Sequence, residues 1–201
     1  MTDRSLDVPA VPDAPHAPEV PAAASSDSLP VAPELRVLAA VQRGVARPRT
    51  VPAARGLSHF GEHAAGWLAL GLVGAAADRR RRTEWLGSAA AVALAHGVSI
   101  GVKRVVRRPR PEHPSVEVLV GTPSRLSFPS SHATSTTAAA VLYGGLLRSR
   151  TPLAVVPVMA LSRLVLGVHY PSDVATGAAL GAGVALAARR VIPGLTHRKK
   201  R

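Results

Sequence analysis

The chain is expected to fold as an all-α integral membrane protein, a helical bundle of about five transmembrane helices preceded by an amphipathic N-terminal interfacial helix. Three observations predict this. Of the 201 residues 47% are hydrophobic but only 3% aromatic, so Ala, Val, Gly and Leu supply the apolar surface. Such small residues let helix backbones approach one another closely inside a bilayer. Five apolar runs follow in succession with charged breaks between them. Finally, the chain carries a formal net charge of +13, yet its cations gather at the ends of those runs, and between Trp85 and Arg190 the acidic residues are Glu112, Glu117 and Asp173 alone. Cations placed in loops beside apolar runs are the mark of membrane spans. A nucleic-acid partner is not expected, because the basic stripe interleaved with aromatics that a single-strand binder needs is absent.

Residues 1–33, rich in Pro, Ala, Ser and Asp, are read as a disordered tail. From Glu34 to Ala46, Leu35, Val37, Leu38, Val41 and Val45 alternate with Arg36, Gln42 and Arg43, which predicts a short amphipathic helix. It lies on the membrane surface or packs on the end of the bundle, and with its linker it occupies residues 34–57. The membrane domain spans 58–191. Its apolar runs extend from about Ser58 to Ala77, Trp85 to Val102, His132 to Leu147, Thr151 to Val168 and Ser172 to Val191. Several are near the lower limit for crossing ~30 Å of hydrocarbon at ~1.5 Å per residue. The third is the weakest alone, since Thr134, Ser135, Thr136 and Thr137 open it. Arg79–Arg82 and Arg148-Ser149-Arg150 mark breaks, and residues 192–201 form a basic tail. No repeat of fixed period is present. Without cysteine, neither a disulfide framework nor a thiolate metal site can form. No basic segment followed by an apolar one opens the chain, so no cleavable signal peptide is expected.

Against this apolar background three clusters carry the specific polar chemistry: Lys103-x6-Arg110-Pro111, Phe128-Pro129-Ser130-Ser131-His132, and Ser162-Arg163-x5-His169-x3-Asp173. A lysine point charge and an arginine fork can jointly clamp phosphate oxygens, while Arg104, Arg107 and Arg108 read as interfacial charge. In the second cluster Pro129 and the two serines suit a helix start, whose free N–H groups make an anion site, and His132 could donate a proton to a leaving oxygen. The third cluster is the most specific. Arg163 sits inside an apolar run, where a charge is costly and marks function. Pro171 starts a new helix and puts Asp173 in its first turn, where a carboxylate can fix one imidazole nitrogen of His169 and free the other to attack. An Arg163–Asp173 pair would account for those two residues and leave His169 without a reason. His59, Glu62 and His63, at the entry to the first run, invite a metal reading but are better read as interfacial. His96 is expected to hydrogen bond across helices, and His113 is a loop residue near Arg110.

In order and spacing these clusters resemble the signature of the type 2 phosphatidic acid phosphatase superfamily, membrane lipid phosphatases related to vanadium haloperoxidases. The resemblance covers roughly residues 55–190, with one departure: Ser131 stands where the family usually has Gly. It implies that His169 attacks phosphorus and forms a phosphohistidine, oriented by Asp173, and that His132 protonates the leaving group. It also implies that Lys103, Arg110, Arg163, Ser130 and the N–H of Ser131 hold the phosphate oxygens, with no metal and no cofactor. The partners implied are a membrane lipid with a phosphorylated head group and the phospholipid bilayer. Leu126–Thr137 and Leu166–Asp173 are similar to small actinobacterial members, for which the resemblance implies removal of the 5-phosphate of decaprenylphosphoryl-5-phosphoribose. Undecaprenyl diphosphate and phosphatidic acid phosphatases are the alternatives, a non-catalytic lipid-binding protein a more distant one. Across five spans, twelve cations fall on the side opposite the clusters and eleven on the cluster side. Lys103 and Arg110 are reserved for chemistry, so the balance leans toward an extracytoplasmic cluster side in the cell membrane.

Overall fold

A computed structural model describes residues 32–192, and the expected terminal tails lie almost wholly outside them. The described residues are helical without a strand. Their helices are α1 (Pro33–Val45), α2 (Thr50–Gly61), α3 (Ala65–Ala77), α4 (Arg82–Val106), α5 (Ser131–Leu146), α6 (Val155–Val165) and α7 (Pro171–Val191). Isolated bridges, Pro109 with Leu126 and His113 with Val116, brace the long loop between α4 and α5.

Helix α5 stands at the centre, packed on α4, α6 and α7. This explains why it read as the weakest span. Its hydroxyls face protein and not lipid: Thr134 Oγ1 donates to the Ser130 carbonyl at 3.0 Å, Ser135 Oγ to that of Ser131 at 3.0 Å, and Thr136 Oγ1 accepts from the Trp67 indole at 3.1 Å, while Thr137 Oγ1 is buried without a partner. Above these, Trp67, Trp85, Leu142, Tyr143 and Leu146 form the main core. Leu72, Val73, Leu94, Leu161 and Leu186 point outward, supplying the apolar exterior that a bilayer requires.

The seam between α5 and α7 is the closest in the bundle because two glycines one helical turn apart, Gly177 and Gly181, face α5. A Cβ on Gly177 would meet the Ser130 carbonyl and one on Gly181 the Thr134 carbonyl. At the bundle end, α1 packs on α6 and α7. Gln42 donates to the carbonyls of Glu117 (2.7 Å) and Val165 (3.1 Å) and accepts from the Glu117 N–H. Of the two placements open to the amphipathic segment, the structure has the helix docked on the bundle.

Three expectations need correction. The first apolar run is not one helix: His63 (φ 51) and Ala64 (φ 60) adopt left-handed backbone and break it between α2 and α3. The stretch expected as linker is largely α2. The fourth run begins with a 3-10 turn, Thr151–Ala154, ahead of α6, where Pro157 in the first helical turn has no N–H to donate back to the Leu153 carbonyl. By length and hydropathy, two helical stretches among the described residues can cross a membrane, Arg79–Val106 and Pro171–Val191. Helices α3, α5 and α6, of 13, 16 and 11 residues, are shorter than the ~20 residues of a perpendicular crossing.

The seam makes a paired prediction. Gly181→Ala is expected to cost about 1–3 kcal/mol and to lower the thermal midpoint in detergent by roughly 2–10 °C. Gly183→Ala, with nothing within 4 Å of the added methyl, should leave the midpoint unchanged or slightly raised. Equal effects would show that the seam does not hold the helices together.

Candidate active site

Antiparallel packing gathers the carboxyl ends of α4 and α6 and the amino ends of α5 and α7 at one end of the bundle. Lys103 arrives on the last turn of α4, Arg163 on the last turn of α6, Ser131 and His132 on the first turn of α5, and Asp173 on that of α7. Arg110 and His169 come from the intervening loops. Lys103, Arg110, Ser131, His132, Arg163 and His169 all line one cavity of about 430 Å³. Ser130 is wholly buried behind it, where its Oγ caps α5 by accepting from the Ala133 N–H at 3.4 Å.

His169 follows Gly167, whose positive φ of 70° turns the chain out of α6; a side chain there would strike the Glu117 carbonyl. Asp173 Oδ2 lies 3.5 Å from His169 Nδ1 and accepts the Tyr170 N–H at 2.8 Å. Its other oxygen accepts from Arg108 Nη1 at 3.0 Å. Arg108 is therefore not the interfacial charge the sequence suggested. It also donates to Ser172 Oγ (2.7 Å) and Glu34 Oε2 (2.6 Å), and its guanidinium stacks 3.9 Å above the Tyr170 ring. Glu34 closes the circuit by accepting the Ser172 N–H at 2.9 Å, so α1 is tied to the start of α7 beside the candidate site. Burial opposes the Arg108 charge, but Glu34 and Asp173 outweigh it and hold its pKa above the ordinary arginine value.

The cavity cations are positioned by backbone carbonyls and not by carboxylates. Lys103 Nζ donates to Leu126 O (3.0 Å) and Ser127 O (3.3 Å), and Arg110 to Ser124 O (2.8 Å) and Val168 O (2.6 Å). Arg163 is 1% exposed, and its Nε and Nη1 are buried without a partner. Unsatisfied guanidinium donors in a protein interior are rare, and an oxyanion entering the cavity would satisfy them. Arg110 Nη1 also stands 3.4 Å from His169 Nε2. Burial lowers the Arg110 pKa to about 10, which leaves it charged. Burial first, then Arg110, Arg163 and Lys103, push His169 well below the usual imidazole range, so at neutral pH its ring is uncharged. His169 Nδ1 faces Asp173 without a hydrogen bond, and Nε2 faces Arg110, beside cations that could hold an oxyanion. His132 Nε2 pairs with the Ser58 carbonyl at 2.9 Å, leaving Nδ1 to exchange a proton. Ser131 Oγ accepts from Ser99 Oγ at 2.8 Å, so the serine that replaces glycine is tied to α4.

His59, Glu62, His63 and His96 line the same cavity. The cross-helix hydrogen bond expected of His96 does not form; its Nδ1 is buried without a partner. Among the described residues no group of three or more His, Cys, Asp or Glu side chains could hold a metal ion.

A helical bundle that gathers an imidazole, a carboxylate and three cations at one end has the groups a phosphatase site needs, and comparison with known proteins identifies its family. Residues 84–196 match the model of the PAP2 superfamily. The chain is 55% identical over 169 residues (84% of this chain, 96% of the relative) to a protein of Mycobacterium tuberculosis named decaprenylphosphoryl-5-phosphoribose phosphatase. It is 60% identical over 142 residues (70% and 79%) to a protein of the same name from Mycolicibacterium smegmatis. In fold it is similar to a transmembrane PAP2 type phosphatidylglycerolphosphate phosphatase from Bacillus subtilis (TM-score 0.63, 19% identity, 83% of this chain and 89% of that one). It is also similar to Aquifex aeolicus LpxE (TM-score 0.66, 19% identity, 78% and 94%). The chain belongs to the PAP2 superfamily and is a membrane phosphatase.

Sequence reasoning missed Arg108, Glu34, Tyr170 and Ser58. Only Tyr170-Pro171-Ser172-Asp173 carried a local signal, a helix start crowded with groups that would need an outside partner; the partners themselves come from residues 34 and 108, while Ser58 pairs with His132. The electrostatics yield a direct test. In detergent-solubilised protein, NMR titration should find the His169 midpoint shifted below the ordinary imidazole value of ~6.5. Arg110→Gln removes one of the charges that depress it and should move the midpoint upward. A wild-type midpoint at or above the ordinary value would contradict a cationic cup around this ring.

Proposed function

We propose that this phosphatase removes the 5-phosphate of decaprenylphosphoryl-5-phosphoribose, or of a closely similar polyprenyl phosphoribose, through a phosphohistidine on His169. The observation that carries the reading is the convergence of the three motifs on one cavity, His169 Nε2 standing 3.4 Å from Arg110. The substrate is supported by the name carried by relatives at 55–60% identity.

In this mechanism His169 Nε2 attacks phosphorus in line with the ester oxygen. The P–O bond breaks and the phosphoryl group rests on His169 Nε2. His132, which enters the step as imidazolium with its Nε2–H on the Ser58 carbonyl, gives its Nδ1 proton to the departing 5-oxygen. Asp173 balances the charge that develops on the imidazole. A water then attacks phosphorus as His132 takes its proton, the N–P bond breaks, and phosphate leaves with both histidines restored. Lys103, Arg110, Arg163 and the N–H of Ser131 hold the equatorial oxygens as charge moves between attacking and leaving atoms. Ser130 contributes by fixing the start of α5. We place the cup on the extracytoplasmic face of the cell membrane, following the balance of loop cations.

Two experiments test this. His169→Ala, purified in detergent, should lose about 10³-fold or more in phosphate release. The wild type should release phosphate from polyprenylphosphoryl 5-phosphoribose in preference to polyprenyl diphosphate or phosphatidic acid. Substantial turnover by the variant removes His169 as nucleophile, and the reverse substrate preference removes the phosphoribose reading. Because the chain has no cysteine, a single Gly121→Cys at the exposed lip of the cavity reports topology: an impermeant maleimide should label it in intact cells, and labelling only after lysis would put the cup inside.

A further inference from the structure

We propose that His96 and His63 form a head-group subsite that hydrogen bonds the hydroxyls of a pentose held between the reacting phosphate and the lipid chain. This rests on the substrate reading above. At about 430 Å³ the cavity falls in the ~300–1,000 Å³ range of small-molecule sites and is larger than a phosphate needs. The catalytic cup accounts for only part of its wall.

Helix α4 orients the remainder. His96, Ile100 and Lys103 line the cavity from one face of this helix. Seven residues separate His96 from Lys103, so His96 lies ~10 Å further along the axis. Because α4 enters the cup at its carboxyl end, that displacement runs toward the apolar middle of the bundle. A substrate whose phosphate monoester reacts at the rim, and whose polyprenyl chain lies in hydrocarbon, must place the group that joins them at this intermediate depth. An imidazole within an apolar span, its Nδ1 buried and unpartnered, is costly unless something polar meets it.

The second imidazole comes from the break in the first apolar run. His63 and Ala64 hold consecutive left-handed conformations, uncommon outside glycine and strained. That break sets the His63 ring 6.4 Å from the His96 ring, centroid to centroid. The same turn brings Glu62 to the cavity. A carboxylate there favours hydroxyls, which can donate to Glu62 and exchange hydrogen bonds with imidazole nitrogens.

The test compares two substrates of equal chain length on the full-length protein in detergent: polyprenylphosphoryl 5-phosphoribose and the sugar-free polyprenyl monophosphate. His96→Leu is expected to raise KM for the sugar lipid about tenfold, the worth of one or two hydrogen bonds, with kcat within about twofold and turnover of the sugar-free ester unchanged. His63→Asn should act in the same direction. Asn tolerates the left-handed backbone, so this second variant reports even if the core substitution fails to fold. Equal losses on both substrates, or none on either, overturn the subsite while the substrate reading stands. A wild type that hydrolyses the sugar-free ester but not the sugar lipid overturns both.

Discussion

The constraint on which the site depends is the close approach of α7 to α5. Gly177 and Gly181 bring the α7 backbone against the Ser130 and Thr134 carbonyls. At the top of that seam the Ser130 N–H donates to the Asp173 carbonyl at 2.9 Å. One backbone hydrogen bond thus joins the starts of two helices, and through them two motifs that lie some forty residues apart in the chain. A bulkier residue at either glycine would separate Ser131 and His132 from His169 and Asp173, because all four are fixed to the first turns or approach loops of those helices. Packing between small residues, which read from composition as a general feature of membrane bundles, is here what sets catalytic distances.

A second constraint is electrostatic. Lys103, Arg110 and Arg163 surround one neutral imidazole, and the nearest carboxylate, Asp173, is wholly buried with another arginine on it. Holding three cations together in a part-buried cavity is electrostatically unfavourable. Carbonyls from Leu126, Ser127, Ser124 and Val168 offset part of the cost for two of them, and Arg163 is left with unpaired donors. The strain is relieved by an anion carrying several acceptor oxygens, and more so as negative charge spreads over those oxygens in the transition state. In the proposed mechanism the cations that hold phosphate also add to burial, the larger cause, in keeping His169 unprotonated.

Most of the cup was legible in the sequence because its parts are local spacings: a cation before Arg-Pro, a Ser-Ser-His at a helix start, and His-x3-Asp across a proline. Such spacings survive folding. What could not be read were the partners contributed from a distance. Arg108 is two residues from Arg110 and chemically identical to it, and only the path of the loop decides that one faces the cavity while the other reaches Asp173, Ser172 and Glu34. The break at His63 was hidden because hydropathy is continuous through it. Helix α5 read as a poor span for a physical reason: hydropathy scores a helix against lipid, and this one is surrounded by other helices.

Arg108 also bears on how Asp173 acts. A carboxylate buried beside a single neutral imidazole would be an uncompensated charge, among the more costly features a fold can hold. Arg108 and the Tyr170 N–H supply the compensation at 3.0 and 2.8 Å, while His169 Nδ1 stands farther off at 3.5 Å. That last distance exceeds the ~2.7–2.9 Å of a strong charge-assisted bond. Asp173 therefore belongs more to Arg108 than to His169. In the proposed mechanism the ring gains positive charge on bonding phosphorus, which would raise its attraction to Asp173 and let the contact shorten. The carboxylate would then contribute more along the reaction than before it, which is the condition for lowering a barrier rather than merely tightening the ground state. Glu34 makes this division of charge possible from the N-terminal helix, so α1 is part of the electrostatic frame of the site as well as a cover for the end of the bundle.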